Sequence, residues 1–328
     1  MAMERKTTLP DSRKQARFGG IATFGRYPRF EDVVAAKKAV DWAIVGVPFD
    51  GGVTYRPGAR FGPRGIREQS QYLKQYSMEH GVDVPGVLSL ADAGDAPVKP
   101  FGVKDTLDGV VDHLVGLPDA GRLDAMLLGG DHSIVYAGMK AAWIRQGRPS
   151  GGLACIHFDS HMDTLDTVWG EKWNHATPFR RLIEEGILDP KRMISIGIKG
   201  PLNTSDDLEY ASEQGIELVT YDRWKREGEA PIRACLDRIG SDAAYLSFDI
   251  DCVDPVFAPG TGTPSVGGFT SAEVLALLRS LAGVKLVGAD VVEVLPDRDV
   301  AGNTALLAAH VVFEILALDA IRRGEGQG

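Results

Sequence analysis

Cysteine is scarce in this chain of 328 residues. Only Cys155, Cys235 and Cys252 occur, an odd number with no CxxC spacing. That excludes a disulfide framework and a thiolate zinc site, and it implies the reduced thiols of a cytoplasmic protein. Cys252 directly follows an acidic candidate ligand, but in an extended strand it would face away from it and reads as packing. Excess positive charge is also missing: 45 acidic against 36 basic side chains leave a formal net charge of -9. Such a balance argues against nucleic acid and anionic membranes as partners and suits a cationic or neutral small substrate. No uninterrupted apolar run reaches the roughly 18 residues that a membrane span needs. The longest candidate, Ala305 to Ala320, is interrupted by His310, Glu314 and Asp319 and reads as an amphipathic helix. The opening MAMERKTTLPDSRKQ is polar and basic, so no secretory signal is expected. There is no internal repeat and no low-complexity linker. The glycines of RPGARFG at 56–62 lack the P-loop pattern GxxxxGK[ST] and read as a structured loop near a site or a subunit contact.

What is present is a soluble composition, 44% hydrophobic and 25% charged, enough to build a substantial core. Residues 1–16 read as a flexible or partner-bound arm, and 17–328 as one catalytic domain. Within it, strand-like runs are expected at 42–47, 125–128, 153–158, 193–198, 218–221, 244–248 and 286–289. Helical patterns fall at 104–116, 134–146, 178–187, 206–214, 230–239, 271–282 and 303–322. Strand and helix in alternation imply parallel pairing with right-handed crossovers. Short strands that are apolar on both faces imply helices on both sides. The expected fold is therefore α/β: a single three-layer α/β/α domain with a mainly parallel central sheet.

In such sheets, ligands bind beyond the carboxyl ends of the strands, and four strand ends here carry chemistry. Gly129-Gly130-Asp131-His132 follows one run and Asp159-Ser160-His161-Met162-Asp163 another; Asp249 and Asp251 follow a third and Glu293 a fourth. If the acidic stretches continue as strands, alternate residues share a face: Asp159, His161 and Asp163 on one, Asp249 and Asp251 on another. Four clustered carboxylates need cations to balance them. Two divalent ions would do so, with His132 and His161 adding imidazole nitrogen, which points to a hydrolase that activates water. His157 shares the ligand face and reads as a buried, hydrogen-bonded residue. His80, His113 and His310 read as surface or packing residues.

These segments resemble the ureohydrolase (arginase/agmatinase) family: GGDHS at 129–133, HFDSHMD at 157–163, SFDIDCVDPVFAPGTGTPSVGG at 247–268, VVEV at 291–294 and TYRPGARFGPRGIR at 54–67. The resemblance runs over nearly the whole chain. It implies an arginase-like fold, a binuclear manganese centre and a homotrimer or hexamer. By this resemblance one ion would be held by His132, Asp159, Asp163 and Asp249. The other would be held by Asp159, His161, Asp249 and Asp251, with Asp159 and Asp249 bridging. Ligand type alone also admits Ni²⁺, Co²⁺ or zinc. Catalytic roles fall to Asp163, which would handle the proton of the nucleophile, to His175 as proton shuttle or substrate contact, and to Glu293 as the carboxylate that grips a guanidinium.

RFGGIATF at 17–24 and GEKWNHATPFRR at 170–181 look most like the guanidinobutyrase and agmatinase branch. The expected substrate is therefore a linear guanidino compound without an amino-acid head group, a guanidino acid such as guanidinobutyrate or agmatine, cleaved to urea and an amine. The family pattern is altered at Ser160 and Ala176, and above all at Leu295, Asp297 and Arg298. Arg298 is a candidate for a substrate carboxylate, although a pairing with Asp297 or Asp299 is preferred. Trp169 and Trp173, in the loop 165–174, either shape the pocket or pack. An atypical guanidine such as free guanidine or a biguanide, with nickel, is a second reading; formiminoglutamate hydrolysis is a third. A non-catalytic partner subunit is the alternative from another class, and it predicts missing ligands where none is missing.

Overall fold

The computed structural model describes residues 6–118 and 123–325. Eight strands form its sheet: β1 (Trp42–Val47), β2 (Leu90–Asp95), β3 (Asp124–Gly129), β4 (Leu153–Phe158), β5 (Leu188–Ile198), β6 (Glu217–Thr220), β7 (Ala243–Asp249) and β8 (Lys285–Val292). In space the order is β2-β1-β3-β8-β7-β4-β5-β6, and every neighbouring pair is parallel. The main connecting helices are α1 (Gly62–Ser70), α2 (Val103–Gly116), α3 (Val135–Arg145), α4 (Pro178–Glu184), α5 (Glu209–Gln214), α6 (Tyr221–Glu227), α7 (Ala230–Ile239), α8 (Ser271–Arg279) and α9 (Asn303–Glu325).

Two apolar cores lie on opposite faces of the sheet. Ile44, Met126 and Leu246 point to α1, α7, α8 and α9, whereas Val45, Leu127 and Tyr245 point to α2, α3 and α4. This alternation follows from the period-two geometry of a strand. Each large side chain so buried contributes on the order of 1.5–3 kcal/mol. The expected three-layer α/β/α architecture is thus observed.

Three local expectations change. Strand β2 was not anticipated, because LADAGD is short and leaves the core after its third residue. Helices α1 and α6 were not anticipated either; α1 lies inside the motif-rich 54–67 segment. Helix α9 is not amphipathic but buried on nearly every side: it is long and apolar enough to cross a membrane, yet 83% of that apolar window is buried inside the protein. Its buried charges are paired, Glu314 with Arg279 of α8 and Asp319 with Arg322 and Arg323. Asp319 also accepts a hydrogen bond from Trp42 Nε1 at 2.8 Å.

Of the arm expected at 1–16, residues 1–5 lie outside the described residues. Beyond them Thr7 is buried, and its hydroxyl donates to Leu88 O and accepts from Leu90 N. That part lies against the domain.

Candidate metal centre

The four strands that carry the site, β3, β8, β7 and β4, are consecutive in space. Parallel pairing therefore delivers their carboxyl ends to one short stretch of edge. The chain leaves β3 and returns as β4 three places further over, leaving β8 and β7 between them, and such a crossing opens a crevice.

After β3, Gly130 brings the turn hard against the end of β1. A Cβ there would sit 2.5 Å from Phe49 O and 2.6 Å from Val47 O, so only glycine fits. Asp131 then caps a short 3₁₀ turn, accepting from Ser133 N at 2.9 Å, and presents His132. Beyond β4 the chain is no longer a strand. Asp159 to Asp163 form an irregular turn, and Asp251 lies in the 3₁₀ turn Ile250–Cys252. The alternation expected for these ligands, and for Cys252, is therefore not what orients them. Local capping bonds do so: Asp159 Oδ1 accepts from His161 N at 2.6 Å, and Asp249 Oδ1 from Asp251 N at 2.9 Å. Asp163 has φ +52° and Glu293 φ +61°. Side chains rarely adopt this left-handed region, and such strain persists where function demands it.

His132 defines the first cluster. Its Nε2 lies 2.8 Å from Ser247 Oγ, which donates to Asp290 Oδ1 at 2.7 Å. The serine hydrogen is thereby committed, so Nε2 carries the ring proton and Nδ1 keeps its lone pair. That Nδ1 is buried without a hydrogen-bond partner. It faces carboxylate oxygens of Asp163, Asp159 and Asp249 at 2.9, 3.0 and 3.3 Å. A lone pair ringed by three anionic oxygens is a donor set for a cation. The second cluster is centred on His161, whose Nδ1 lies 3.3 Å from Asp159 Oδ1 and 3.2 Å from Asp251 Oδ2. Asp159 gives one oxygen to each cluster, the geometry of a bridging ligand. Asp249 directs Oδ2 to His132, while its Oδ1 holds the Asp251 amide.

Proximity alone also groups His157 with His132 and Asp159. Both nitrogens of His157 are occupied, however, Nε2 by Asp159 Oδ2 at 2.9 Å and Nδ1 by Ser195 Oγ at 3.0 Å. Its role is to hold Asp159.

Electrostatics agree with the donor sets. Burial pushes Asp249 well above the usual carboxylate range, and neighbouring Asp251 and Asp159 push it further. Burial opposes a proton on His132, but Asp159, Asp163 and Asp249 outweigh it and raise its pKa well above that of free imidazole. Without a cation the cluster must take up protons; a divalent ion replaces them.

A cavity of about 470 Å³ opens over the clusters, lined by His161, Asp163 and Asp249 at one end and by Leu165, Val168 and Trp169 along one wall. Trp169 is 82% exposed and has φ +52°. Trp173 departs from the pocket reading. It packs edge-on against Tyr136 at 4.9 Å and does not line the cavity, because the loop turns inward before it. Arg298 is exposed in the turn Pro296–Arg298 and is also outside the lining. The preferred pairing with Asp297 or Asp299 is absent among the described residues, since Asp299 instead caps α9 through Thr304 N and Ala305 N at 2.8 Å each.

Glu293 is buried beside the first cluster. Its Oε1 accepts from His132 N at 2.8 Å and from His175 Nδ1 at 2.9 Å, and its Oε2 is buried with no partner. Burial lowers the His175 pKa, but Glu293 more than restores it, to about 9. Thr54 was not singled out from sequence, yet its hydroxyl lies 2.7 Å from His175 Nε2. The only available signal was its place at the head of the TYRPGARFGPRGIR motif.

Residues 40–318 match the sequence profile of the arginase family. The chain is 41% identical over 310 residues to a guanidinopropionase of Pseudomonas aeruginosa, covering 94% of each chain. It is 37% identical over 303 residues to a guanidinobutyrase of the same organism, covering 92% of this chain and 93% of the relative. The solved structure of proclavaminate amidino hydrolase from Streptomyces clavuligerus superposes with a TM-score of 0.85 at 38% identity, over 94% of this chain and 100% of that one.

Proposed function

The chain belongs to the arginase family, and from that premise we propose that it hydrolyses a linear guanidino compound, a guanidino acid or agmatine, to urea and an amine. The carrying observation is Glu293: a buried carboxylate with an unpartnered oxygen, set beside the first of the two candidate cation clusters. A guanidinium stays charged at any relevant pH and pairs best with a carboxylate in forked geometry. The relatives named for guanidinopropionate and guanidinobutyrate support the substrate class.

His132, Asp159, Asp163 and Asp249 would hold one ion, and Asp159, His161, Asp249 and Asp251 the other. The oxygen-rich set with two imidazoles favours manganese. When bound, the pair supplies a water acidified enough to act as nucleophile at neutral pH. Glu293 fixes the guanidinium flat. Asp163, held against His132 and lining the cavity, accepts the first proton of that water. His175, beside Glu293, passes a proton to the departing nitrogen. Guanidinium and water become urea and an ammonium, with both water protons ending on the departing nitrogen. We also propose a homotrimer or hexamer in a reducing compartment, in keeping with three free, buried cysteines.

The test is urea release by manganese-loaded protein from guanidinobutyrate, guanidinopropionate, agmatine, arginine, free guanidine and a biguanide. Urea from guanidinobutyrate, guanidinopropionate or agmatine is expected. Arginine as the best substrate would refute the placement outside the arginase branch.

A further inference from the structure

His175 is clamped by a single loop. Gly52 O accepts from the His175 backbone N–H at 2.9 Å. The Thr54 N–H points at His175 Nε2 from 2.9 Å, and Thr54 Oγ1 lies 2.7 Å from the same nitrogen. The loop is itself anchored by Asp131, whose Oδ2 accepts from Gly52 N at 2.8 Å. A Cβ on Gly52 would lie 3.1 Å from that oxygen and 3.3 Å from Asn174 Cα, so the backbone is wedged between the two.

Donor and acceptor chemistry limits what this clamp can do. A backbone N–H only donates, so in the neutral ring Nε2 must offer its lone pair to Thr54. The ring proton then sits on Nδ1, where Glu293 Oε1 accepts it. Once the ring is charged, Nε2–H faces the Thr54 N–H, and the hydroxyl is the only acceptor the clamp offers. A threonine hydroxyl both donates and accepts, and it turns freely between the two. Thr54 is half-buried and lines the same cavity as His175, so this exchange occurs at the substrate face. The acidic groups facing His175 are Glu293, Asp163 and Asp131. They favour its charged form but supply no acceptor on the Nε2 side.

We propose that Thr54 is a positioning residue that accommodates both protonation states of His175 by turning its hydroxyl, keeping the ring loaded for the departing amine. This rests on the hydrolytic reading above. Thr54→Val keeps the N–H and the shape but removes the acceptor; Thr54→Ser keeps the acceptor. Losing one hydrogen bond to a charged group is expected to lower the His175 titration midpoint by about one pH unit or more.

Two measurements test it. In manganese-loaded enzyme, Thr54→Val should lower kcat for urea release about tenfold with KM within about twofold, should move the alkaline limb of the kcat profile down in pH, and should be rescued by Thr54→Ser. In protein carrying ¹⁵N-labelled histidine and loaded with diamagnetic Zn²⁺, the His175 signal, assigned with His175→Asn, should titrate lower in Thr54→Val than in the parent or the serine variant. If the valine variant does not fold, Thr54→Ala carries the same expectation. An unchanged midpoint in the folded variant overturns the proposal, as does a serine variant as impaired as the valine one. If the parent releases no urea from any guanidino compound, the hydrolytic reading fails, while the titration still decides the role of Thr54.

Discussion

His132 and Glu293 are joined main chain to side chain: the amide of the first donates to Oε1 of the second at 2.8 Å. The residue that would offer a nitrogen to a metal ion thus also fixes the carboxylate that would grip the substrate. Replacing Glu293 by Gln keeps an acceptor for that amide and removes the charge. Loss of a charged, forked contact should reduce kcat/KM for guanidino substrates by about 10²-fold or more. Metal content measured on the same preparation should match the parent; a metal-depleted variant would recast Glu293 as part of the metal site.

Asp249 is expected to matter to both. Changing it to Asn leaves a poorer ligand facing His132, so bound metal and turnover should fall together, apparent manganese affinity by at least about tenfold. Elemental analysis and urea release decide this. Full activity with both ions retained would remove Asp249 from the ligand set.

Ser247 never meets the cavity, yet it sets which nitrogen of His132 is free. Ser247→Ala breaks the relay to Asp290 and leaves the tautomer unspecified. Metal affinity is expected to weaken by roughly 10–100-fold, and the metal-free protein to lose about 1–3 kcal/mol, because buried His132 Nε2 and Asp290 Oδ1 each lose a partner. A metal titration followed by calorimetry reads both.

His175 links pH to stability in the metal-free protein. Its folded pKa is raised from the usual 6.5 to about 9, chiefly by Glu293 working against burial. The pairing therefore contributes fully below about pH 6.5 and is lost as pH rises through about 9. The Tm difference between the parent and His175→Asn should be largest near pH 6 and should shrink as pH rises through about 9, to the part carried by the neutral ring's hydrogen bonds and packing. A difference that grows with pH would contradict the pairing.

Gly138 tests the packing beneath the site. A Cβ there would lie 2.1 Å from the Tyr245 hydroxyl oxygen, within a side chain that is fully buried. Gly138→Ala should cost about 1–3 kcal/mol through overpacking, read as a lower denaturation midpoint.

The central strands were legible because each is a short apolar run ending in polar residues, and their parallel order followed from alternation with helices. The candidate ligands were legible for the same reason: His132, Asp159 and Asp249 stand where runs end. How those residues point was not, since it depends on capping bonds such as Asp249 Oδ1 to Asp251 N rather than on strand period. Strand β2 escaped because an edge strand with Gly94 and Asp95 carries little apolar signal. Thr54 escaped because its partner is 121 residues away, and nothing local in either segment announces the contact. Trp169 and Trp173 are equivalent on paper; only the path of the loop leaves one largely exposed at the cavity wall and packs the other onto Tyr136.

The sheet has a second edge. Where β1 and β3 begin, Arg323 of α9 reaches Asp41 and Asp124, and Asp319 receives the Trp42 indole. Everything reactive lies at the opposite ends of the strands. A library randomised over the cavity loops can therefore be searched for new amines and leaving groups without loosening the clasp that closes the fold. The α9 end is, by the same division, a place where the enzyme can be hardened against heat without touching the reactive end.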